Sequence, residues 1–403
     1  MTGNPFAENV ARIRKARDLS QEQLAEAASV GVDTVARIEQ GTRTSSRPAT
    51  LRRLAAALGV TVDTLLGQAT GKRPSDLDAT PLRHAIAACE HIPGLDDFAE
   101  PQQATGLNAL AGSVHRMWRA YVDGHHAELL HALPAVLTDA RRLTQVATGD
   151  EKAGAFRMLS TTYRLGAGMA GRLGLEDLAW SSAERALKTA RESDAPEVEA
   201  AISLRYLAWT LIRQGRFDEA ERVAVGAAER LQPAMFDRDS LRAGVFGNLL
   251  FNAATAALLA GRADRADDLL AEAHAAAVRT RRDWASEAAI FGPRVAILQR
   301  IDRIARTGDP AEALHLAKTA PPASGEVPAF WEAGHQLRLA AAAAELHRDR
   351  QALDFLAEAR ALAPDWARFQ PLGEATMRHL VDRAPRRRGA QFSLLAAHYG
   401  IVS

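Results

Sequence analysis

The sequence predicts an all-α protein with a small N-terminal domain followed by an α-solenoid of helical hairpins. Two short, capped amphipathic helices are predicted within residues 20–41. Beyond residue 106 the apolar residues keep a helical spacing, and glycines interrupt it roughly every 40 to 50 residues. No segment alternates apolar and polar residues between turn signals as a strand does.

The composition indicates an ordinary folded protein of more than one domain. The chain has 403 residues, 47% of them hydrophobic, and a net charge of +1. Its single cysteine, Cys89, excludes an intrachain disulfide and is expected to be a packed thiol. No N-terminal apolar run precedes a small-residue cleavage site, and no apolar run of about 18 residues is present, so we expect a cytoplasmic protein.

The strongest local pattern runs from Ser20 to Gly41. Ser20 and Gln23 have the spacing of a capping box at the start of the first helix. The second helix begins near Val32, and Gly41 provides a left-handed stop after it. Each helix has a small inward face, formed by Leu24, Ala25, Val35 and Ile38. A helix, a tight turn and a second helix with small apolar faces make a helix-turn-helix pattern.

Apolar faces before and after this pair predict three further short helices. Their members are Phe6, Val10 and Ile13, then Leu51, Leu54 and Leu58, then Val62, Leu65 and Leu66, with Thr61 as the cap of the last helix. Five short helices in about 65 residues resemble the Cro and phage-repressor (XRE) class of DNA-binding domain. The resemblance rests on Ser20-Gln21-Glu22, Leu24-Ala25-Glu26, Arg37-Ile38-Glu39, Gly41 and Leu54-Ala55 through Ala57-Leu58-Gly59-Val60. The class usually has Ser or Thr at the N-cap of its recognition helix, where this chain has Gly31.

The resemblance implies that the start of the second helix enters the major groove of DNA. We therefore expect DNA contacts from Gln21, Val32, Asp33, Thr34, Arg37, Arg43 and Arg47. Arg37 can donate to a guanine or a phosphate, Thr34 can contact a thymine methyl, and Asp33 can accept from a cytosine amino group. Gln21 is expected to contact a phosphate or a neighbouring base, and Arg43 and Arg47 are expected to contact phosphates. The alternative is that each charged side chain belongs to the solvated surface.

Composition shifts divide the chain into three parts. Residues 1–67 form the helix-turn-helix domain, and residues 68–105 form a connecting segment. Residues 67–82 hold several Gly and Pro and read as a linker, and a short helix is expected from Arg83 to Glu90. Residues 106–403 form the helical repeat region, which we expect to bind an effector and to dimerise.

The repeat region resembles a degenerate array of tetratricopeptide hairpins. The first helix of each hairpin is expected to end at Gly124, Gly174, Gly215, Gly261, Gly308 or near His347. Residues 200–231 best reproduce the spacing of large and small positions, and Ala208, Ala220 and Ala227 allow close approach of the two helices. The match is loose over residues 107–147 and 284–319.

The first helices of successive hairpins carry candidate effector-binding residues. Arg164 and Arg205 occupy equivalent positions, Trp209 lies one turn beyond Arg205, and Asn248 and Asn252 share one face of the next unit. Amides suit an extended peptide backbone and arginines suit a carboxylate. The arrangement resembles the groove of peptide-sensing regulators that join a repressor-type domain to tetratricopeptide repeats. The alternative is that both asparagines satisfy neighbouring backbone and that Trp209 belongs to the core.

These features predict a transcriptional regulator that binds double-stranded operator DNA as a homodimer and senses a peptide or small molecule. The alternative is a DNA-binding adaptor whose repeats are a protein-interaction scaffold without a small ligand. No P-loop, zinc motif or nucleophile elbow is present, so we expect no enzymatic activity, no cofactor and no metal. His125 and His126 are adjacent and therefore project in different directions, which makes them poor joint metal ligands.

Overall fold

The computed structural model describes residues 5–16, 19–42, 46, 48–60, 62–66, 78–88, 105–231, 239–322, 324–383 and 390–401. Within these residues the fold is nearly all helical, as the sequence predicts. Arg43, Arg47, Thr61 and Cys89, about which the sequence made predictions, lie outside the described residues. No helix in the described ranges combines the length and apolarity that a membrane span requires.

The N-terminal region folds into the short helices that the sequence predicts. They are α1 (Pro5–Ala16), α2 (Gln21–Ala27), α3 (Val32–Glu39), α4 (Pro48–Ala57) and α5 (Val62–Leu65). Their apolar faces meet in one core, as predicted, and Val62 and Leu66 pack against it as half-buried side chains. The core consists of Phe6, Val10, Ile13, Leu24, Ala25, Ala28, Val35, Ile38, Leu51, Leu54, Ala55, Leu58 and Leu65.

The predicted caps of the helix-turn-helix pair are present. The Gln23 amide donates to the Ser20 hydroxyl at 3.1 Å, and the Ser20 amide donates to the Gln23 side chain at 2.7 Å. Gly31 is the N-cap of α3 in an extended conformation and supplies no side-chain hydrogen bond. Gly41 has φ = 71°, the left-handed conformation expected of it.

The described residues form six helical hairpins after this domain, each made of two consecutive helices. The helices are α7 (Leu107–Asp123), α8 (His126–Val146), α9 (Gly149–Arg172), α10 (Glu176–Ala190), α11 (Pro196–Arg213), α12 (Phe217–Leu231), α13 (Ser240–Leu259), α14 (Ala263–Thr280), α15 (Pro293–Thr307), α16 (Pro310–Thr319), α17 (Ala329–Glu345) and α18 (Asp349–Leu362). All six predicted breaks have positive φ, including the non-glycine His347 at 60°. The predicted register of the hairpins is therefore confirmed.

Three further elements correct or complete the prediction. The short helix before the repeats, α6 (Thr80–Ala87), begins inside the stretch read as linker, because Asp78 accepts from the Thr80 amide and Pro81 occupies the first turn. A hairpin of two-residue strands, β1 (Trp284–Ala285) and β2 (Ile290–Phe291), was not predicted, because two residues are too few to alternate visibly. The chain ends in α19 (Pro364–Arg368), α20 (Pro371–Arg383) and α21 (Ala390–His398).

The chain divides into two compact units. The N–C unit contains Met1–Lys72, Ala254–Trp284 and Gly292–Ser403, and the central unit contains Arg73–Ala253 and Ala285–Phe291. The N–C unit contains the helix-turn-helix core and the core of the C-terminal helices. Ala375 of α20 packs against the helix-turn-helix core.

One arginine anchors the helix-turn-helix domain inside the N–C unit. Arg52 of α4 donates to the Ala305 carbonyl at 2.6 Å and forms an ion pair with Glu345 of α17. Burial lowers the pKa of Arg52 and raises the pKa of Glu345, although each charge opposes the shift of the other. Desolvation therefore outweighs attraction in the pKa of both groups, and the contact ties α4 to α17.

Close packing of α11 against α12 depends on small side chains. Ala208 and Ala220 are fully buried, and Ala227 is 3% exposed. A larger side chain at these positions has no space to occupy unless the helices separate.

We expect Ala208→Leu to destabilise the protein by about 1–3 kcal/mol, because the added atoms overpack the α11–α12 contact. Thermal and chemical unfolding of the full chain measure this change. The control is Ala275→Leu at an exposed position of α14, which adds the same atoms without a packed neighbour. Equal unfolding curves for the two variants would contradict the proposed helix contact.

Candidate DNA-binding surface and effector site

One face of α3 is exposed. Val32 is 41% exposed, and Asp33 and Arg37 are exposed as well, whereas Thr34 is half-buried. The opposite face of the helix is fixed in the core by the fully buried side chains of Val35 and Ile38. Four of the predicted DNA-contacting residues thus lie on one short, rigidly supported helix.

A clasp of three polar side chains holds α3 against α1 and α2. Glu39 accepts from Arg14 Nε at 2.6 Å and from Arg14 Nη2 at 2.8 Å, so the pair is bidentate. Its Oε2 also accepts from Gln21 Nε2 at 2.8 Å. The hydrogen bond to Glu39 raises the pKa of Arg14. The clasp fixes the angle of α3 relative to α1 and α2. It uses one amide hydrogen of Gln21, which is a predicted DNA contact.

The turn before α3 has its own support. Ser29 is a non-glycine residue with φ = 49°, and its carbonyl accepts from Arg53 Nη1 of α4 at 3.0 Å. After α3, the Thr42 hydroxyl donates to the Arg37 carbonyl at 3.0 Å. Sequence reasoning missed the roles of Arg14, Glu39 and Arg53. All three are charged residues at helix edges, so nothing in their spacing distinguishes them from solvated surface.

In the central unit, Arg164 belongs to a buried ion pair. It is 2% exposed, and its Nη1 lies 2.6 Å from Glu199 Oε2. Its Nη2 donates to the Thr161 hydroxyl at 2.6 Å. The structure thus places this predicted effector residue in a pairing between α9 and α11. Sequence reasoning missed Glu199, which lies almost two helices away along the chain.

Arg205, Trp209 and Asn252 are half-buried and lie on neighbouring first helices, α11 and α13. Asn252 Nδ2 donates to the Arg205 carbonyl at 2.8 Å, which joins the two helices. The Arg205 guanidinium lies 4.5 Å from the centroid of the Tyr206 ring, and its Nε has no hydrogen-bond partner among the described residues. These three predicted residues are brought together.

Trp209 also packs α11 against α9. A Cβ atom at Gly171 would lie 2.4 Å from the Trp209 ring, so only glycine fits at that point. The Arg213 guanidinium lies 5.1 Å from the same ring and pairs with Glu176 at 2.9 Å. Trp209 therefore packs between repeats, as one of the alternatives held, while part of it stays exposed.

Asn248 faces a different partner from Asn252. It is 5% exposed, its Nδ2 donates to the Ile290 carbonyl at 2.7 Å, and its Oδ1 accepts from the Ile290 amide at 3.3 Å. The two asparagines thus satisfy backbone groups of two different segments. That matches the alternative stated for this pair, and their role toward an effector stays a prediction.

A second polar cluster, which sequence reasoning missed, lies between α7, α8 and α9. Arg172 stands 4.0 Å over the Tyr121 ring and 2.9 Å from His126 Nε2. Burial, together with the charge of Arg172, lowers the pKa of His126 to about 4. His126 is therefore neutral near pH 7, and its Nε2 accepts from the arginine. No group of acidic, histidine or cysteine side chains in the described part of the chain has an arrangement suited to a metal ion.

Comparison with known proteins identifies the N-terminal domain. Residues 10–65 match the family model described as helix-turn-helix. No curated protein matches the sequence. Residues 10–65 are therefore a helix-turn-helix domain of the XRE type.

Several solved structures are similar to this chain at low sequence identity. PlcR of Bacillus thuringiensis, solved with the peptide PapR7 and DNA, is 12% identical with a TM-score of 0.34, covering 79% of this chain and 93% of that chain. ComR of S. thermophilus, solved with DNA and its signalling peptide ComS, is 12% identical with a TM-score of 0.29, covering 89% and 99%. BtubC of P. vanneervenii is 16% identical with a TM-score of 0.39, covering 70% and 97%.

We expect Arg164→Ala to destabilise the protein by about 3–5 kcal/mol, because it leaves the Glu199 carboxylate buried without its counter-charge. The free energy of unfolding measures this change. Arg213→Ala is the matched control, since it breaks a half-exposed pair with Glu176 and should cost only about 0–1 kcal/mol. If Arg164→Ala unfolds like the wild type, the pair is not structural and Arg164 is free to serve an effector.

Proposed function

Because residues 10–65 form a helix-turn-helix domain, we propose that this chain is a transcriptional regulator that binds operator DNA sequence-specifically through α3. The observation that carries the proposal is that one face of α3 is exposed while the opposite face is buried in the core. The hydrogen bonds of Glu39 to Arg14 and Gln21 hold the helix in place. A recognition helix needs this combination, because base edges are read only when the side chains that reach them are held in fixed positions.

Each predicted contact residue has a role in this proposal. Arg37 reads a guanine or holds a phosphate, and Thr34, Asp33 and Val32 face the neighbouring bases. Gln21 contacts a phosphate with the amide hydrogen that Glu39 does not use. Arg43 and Arg47, which follow α3 in the sequence, supply further phosphate contacts.

We expect Arg37→Ala to weaken operator binding by about 1–3 kcal/mol and to relax discrimination at one base pair, because a bidentate contact to guanine is lost. Operator fragments recovered by immunoprecipitation of bound chromosomal DNA provide the ligand for titration. Arg350→Ala removes an exposed arginine of α18 and serves as the matched control. An equal loss of affinity for operator and for random DNA would make Arg37 a phosphate contact.

In the same proposal, residues 106–403 dimerise and residues 68–105 connect them to the DNA-binding domain in the cytoplasm. One recognition helix reads too few base pairs for genomic specificity, so a symmetric pair is needed. The N-terminal domain is small, and α4 is already engaged by α17, so the repeat helices are the better source of an interface.

We expect sedimentation of the full chain at micromolar concentration to give a dimer that binds a two-fold symmetric operator. The two half-sites should lie roughly 34–36 Å apart or at a multiple of that distance, because both recognition helices must face the same side of the duplex. A chain that remains monomeric both free and on saturating operator DNA would contradict the dimer.

We further propose that the repeat region senses a peptide or a small anionic molecule. The support is the half-buried surface of α11 that carries the Arg205 guanidinium and the Trp209 ring. A ligand that binds one arrangement of the repeats more tightly raises the fraction of dimers in that arrangement. The change in arrangement alters the separation of the two recognition helices.

A protein-interaction scaffold is the second candidate. It is favoured by the internal engagement of Arg164, Asn248 and Asn252, since these groups are then not available to a small ligand without rearrangement. Mass spectrometry of the purified chain separates the two functions. Tightly held low-mass material supports the sensor, whereas a protein that co-purifies in stoichiometric amount supports the scaffold.

A further inference from the structure

The hairpin segment Ala285–Phe291 lies on α13 in the manner of a bound peptide. Both backbone groups of Ile290 pair with the Asn248 side chain, the carbonyl at 2.7 Å and the amide at 3.3 Å. A side-chain amide that donates to and accepts from one residue treats that residue as the neighbouring strand of a sheet would. Recognition of this kind depends on the backbone and is independent of the side chain at position 290.

The next residue, Phe291, places its aromatic ring in a notch on α13 at Gly247. The Phe291 ring covers Gly247 so closely that a Cβ atom there would lie 2.0 Å from the ring. Phe251, one turn along α13, is 5.6 Å from Phe291 between ring centroids. Phe291 is fully buried, and Ala289 is 1% exposed. Gly247, Asn248 and Phe251 therefore form a two-part site that accepts a backbone unit followed by a large aromatic side chain.

The segment has little secondary structure of its own. Its strands are two residues long, and so short a hairpin has no independent stability. Its turn is internally bonded, with the Ser286 amide donating to the Ala289 carbonyl at 2.9 Å. Outside the site, its contact to α7 joins Glu287 to His115 at 3.2 Å, and the His115 side chain is 60% exposed.

We propose that Gly247, Asn248 and Phe251 form a peptide-binding site that the chain's own segment Ala285–Phe291 occupies as a displaceable ligand. The external ligand is an extended peptide in which a residue with a free N–H precedes a phenylalanine or a similar aromatic residue. This inference rests on the proposed sensing role and specifies the ligand class for it. It also gives the internal pairing of Asn248 a functional reason, because the segment holds the site until a peptide replaces it.

The segment is tethered, so an added peptide competes with an intramolecular copy at high effective concentration. The apparent affinity of the wild-type chain for such a peptide is lowered in proportion to the fraction of molecules whose site is open. Removal of the Phe291 ring empties the notch and raises that fraction. The probe is a fluorescently labelled synthetic peptide with the sequence of residues 286–291, Ser-Glu-Ala-Ala-Ile-Phe, amidated at its C-terminus.

Fluorescence anisotropy should show that the full-length Phe291→Ala chain binds this peptide at least about tenfold more tightly than the wild type does. Peptides with proline in place of isoleucine, or with alanine in place of phenylalanine, should lose this gain, because one lacks the N–H and the other lacks the ring. The double variant Phe291→Ala/Gly247→Leu should lose it too, because the leucine fills the notch. Equal binding to the wild type and to Phe291→Ala would overturn the proposal.

A measurement on the unmodified chain covers the case in which Phe291→Ala does not fold. Hydrogen exchange of the Ile290 amide should proceed by local opening, faster than the exchange of the buried amides in α11, and excess peptide should change its rate. If the Ile290 amide exchanges only together with the amides of α11, the segment does not leave the site by local opening. That result would show that the inference is wrong. Operator titration without peptide tests the proposed function separately, because DNA binding does not require the site to be vacated.

Discussion

The repeat region depends on one backbone constraint, the left-handed residue at which each first helix ends. Without it the second helix of the hairpin cannot return antiparallel to the first, and the apolar faces of both remain in water. Glycine meets the constraint at five of the six breaks, and His347 adopts φ = 60° at the sixth. Ala208 and Ala220 then allow the returning helix to approach closely. The position of every side chain on the first helices follows from this geometry.

The same geometry determines which polar groups remain available for binding. Side chains that point between neighbouring first helices are desolvated and must find partners, as Arg164 does with Glu199. Side chains one position away, such as Arg205, keep partial contact with solvent. In the helix-turn-helix domain, the Arg14–Glu39–Gln21 clasp has a comparable role, because it satisfies the polar back edge of α3 and leaves the front free.

The elements of the fold could be predicted because they depend on local signals. The capping box at Ser20, the stop at Gly41 and the six hairpin breaks each follow from a few adjacent residues. Partners distant in sequence could not be predicted in the same way. Arg164 and Glu199 are 35 residues apart, and Asn248 and Ile290 are 42 apart, so their meeting depends on the exact stacking of whole helices. The candidate DNA-binding surface was accessible from sequence because it lies on one short helix, whereas the candidate effector site draws on several.

The anchoring of Arg52 has a consequence for the order in which the protein is made. Its two partners, Ala305 and Glu345, follow it in the chain by 253 and 293 residues. At a synthesis rate of about 5–20 residues per second, the N-terminal domain leaves the ribosome roughly 10–60 s before those partners exist. Its own apolar core is contained in residues 6–65 apart from the contact with Ala375, so it can fold during this interval. Each nascent chain therefore passes through a stage in which the helix-turn-helix domain is formed and still unanchored, and a product of premature termination would remain at that stage.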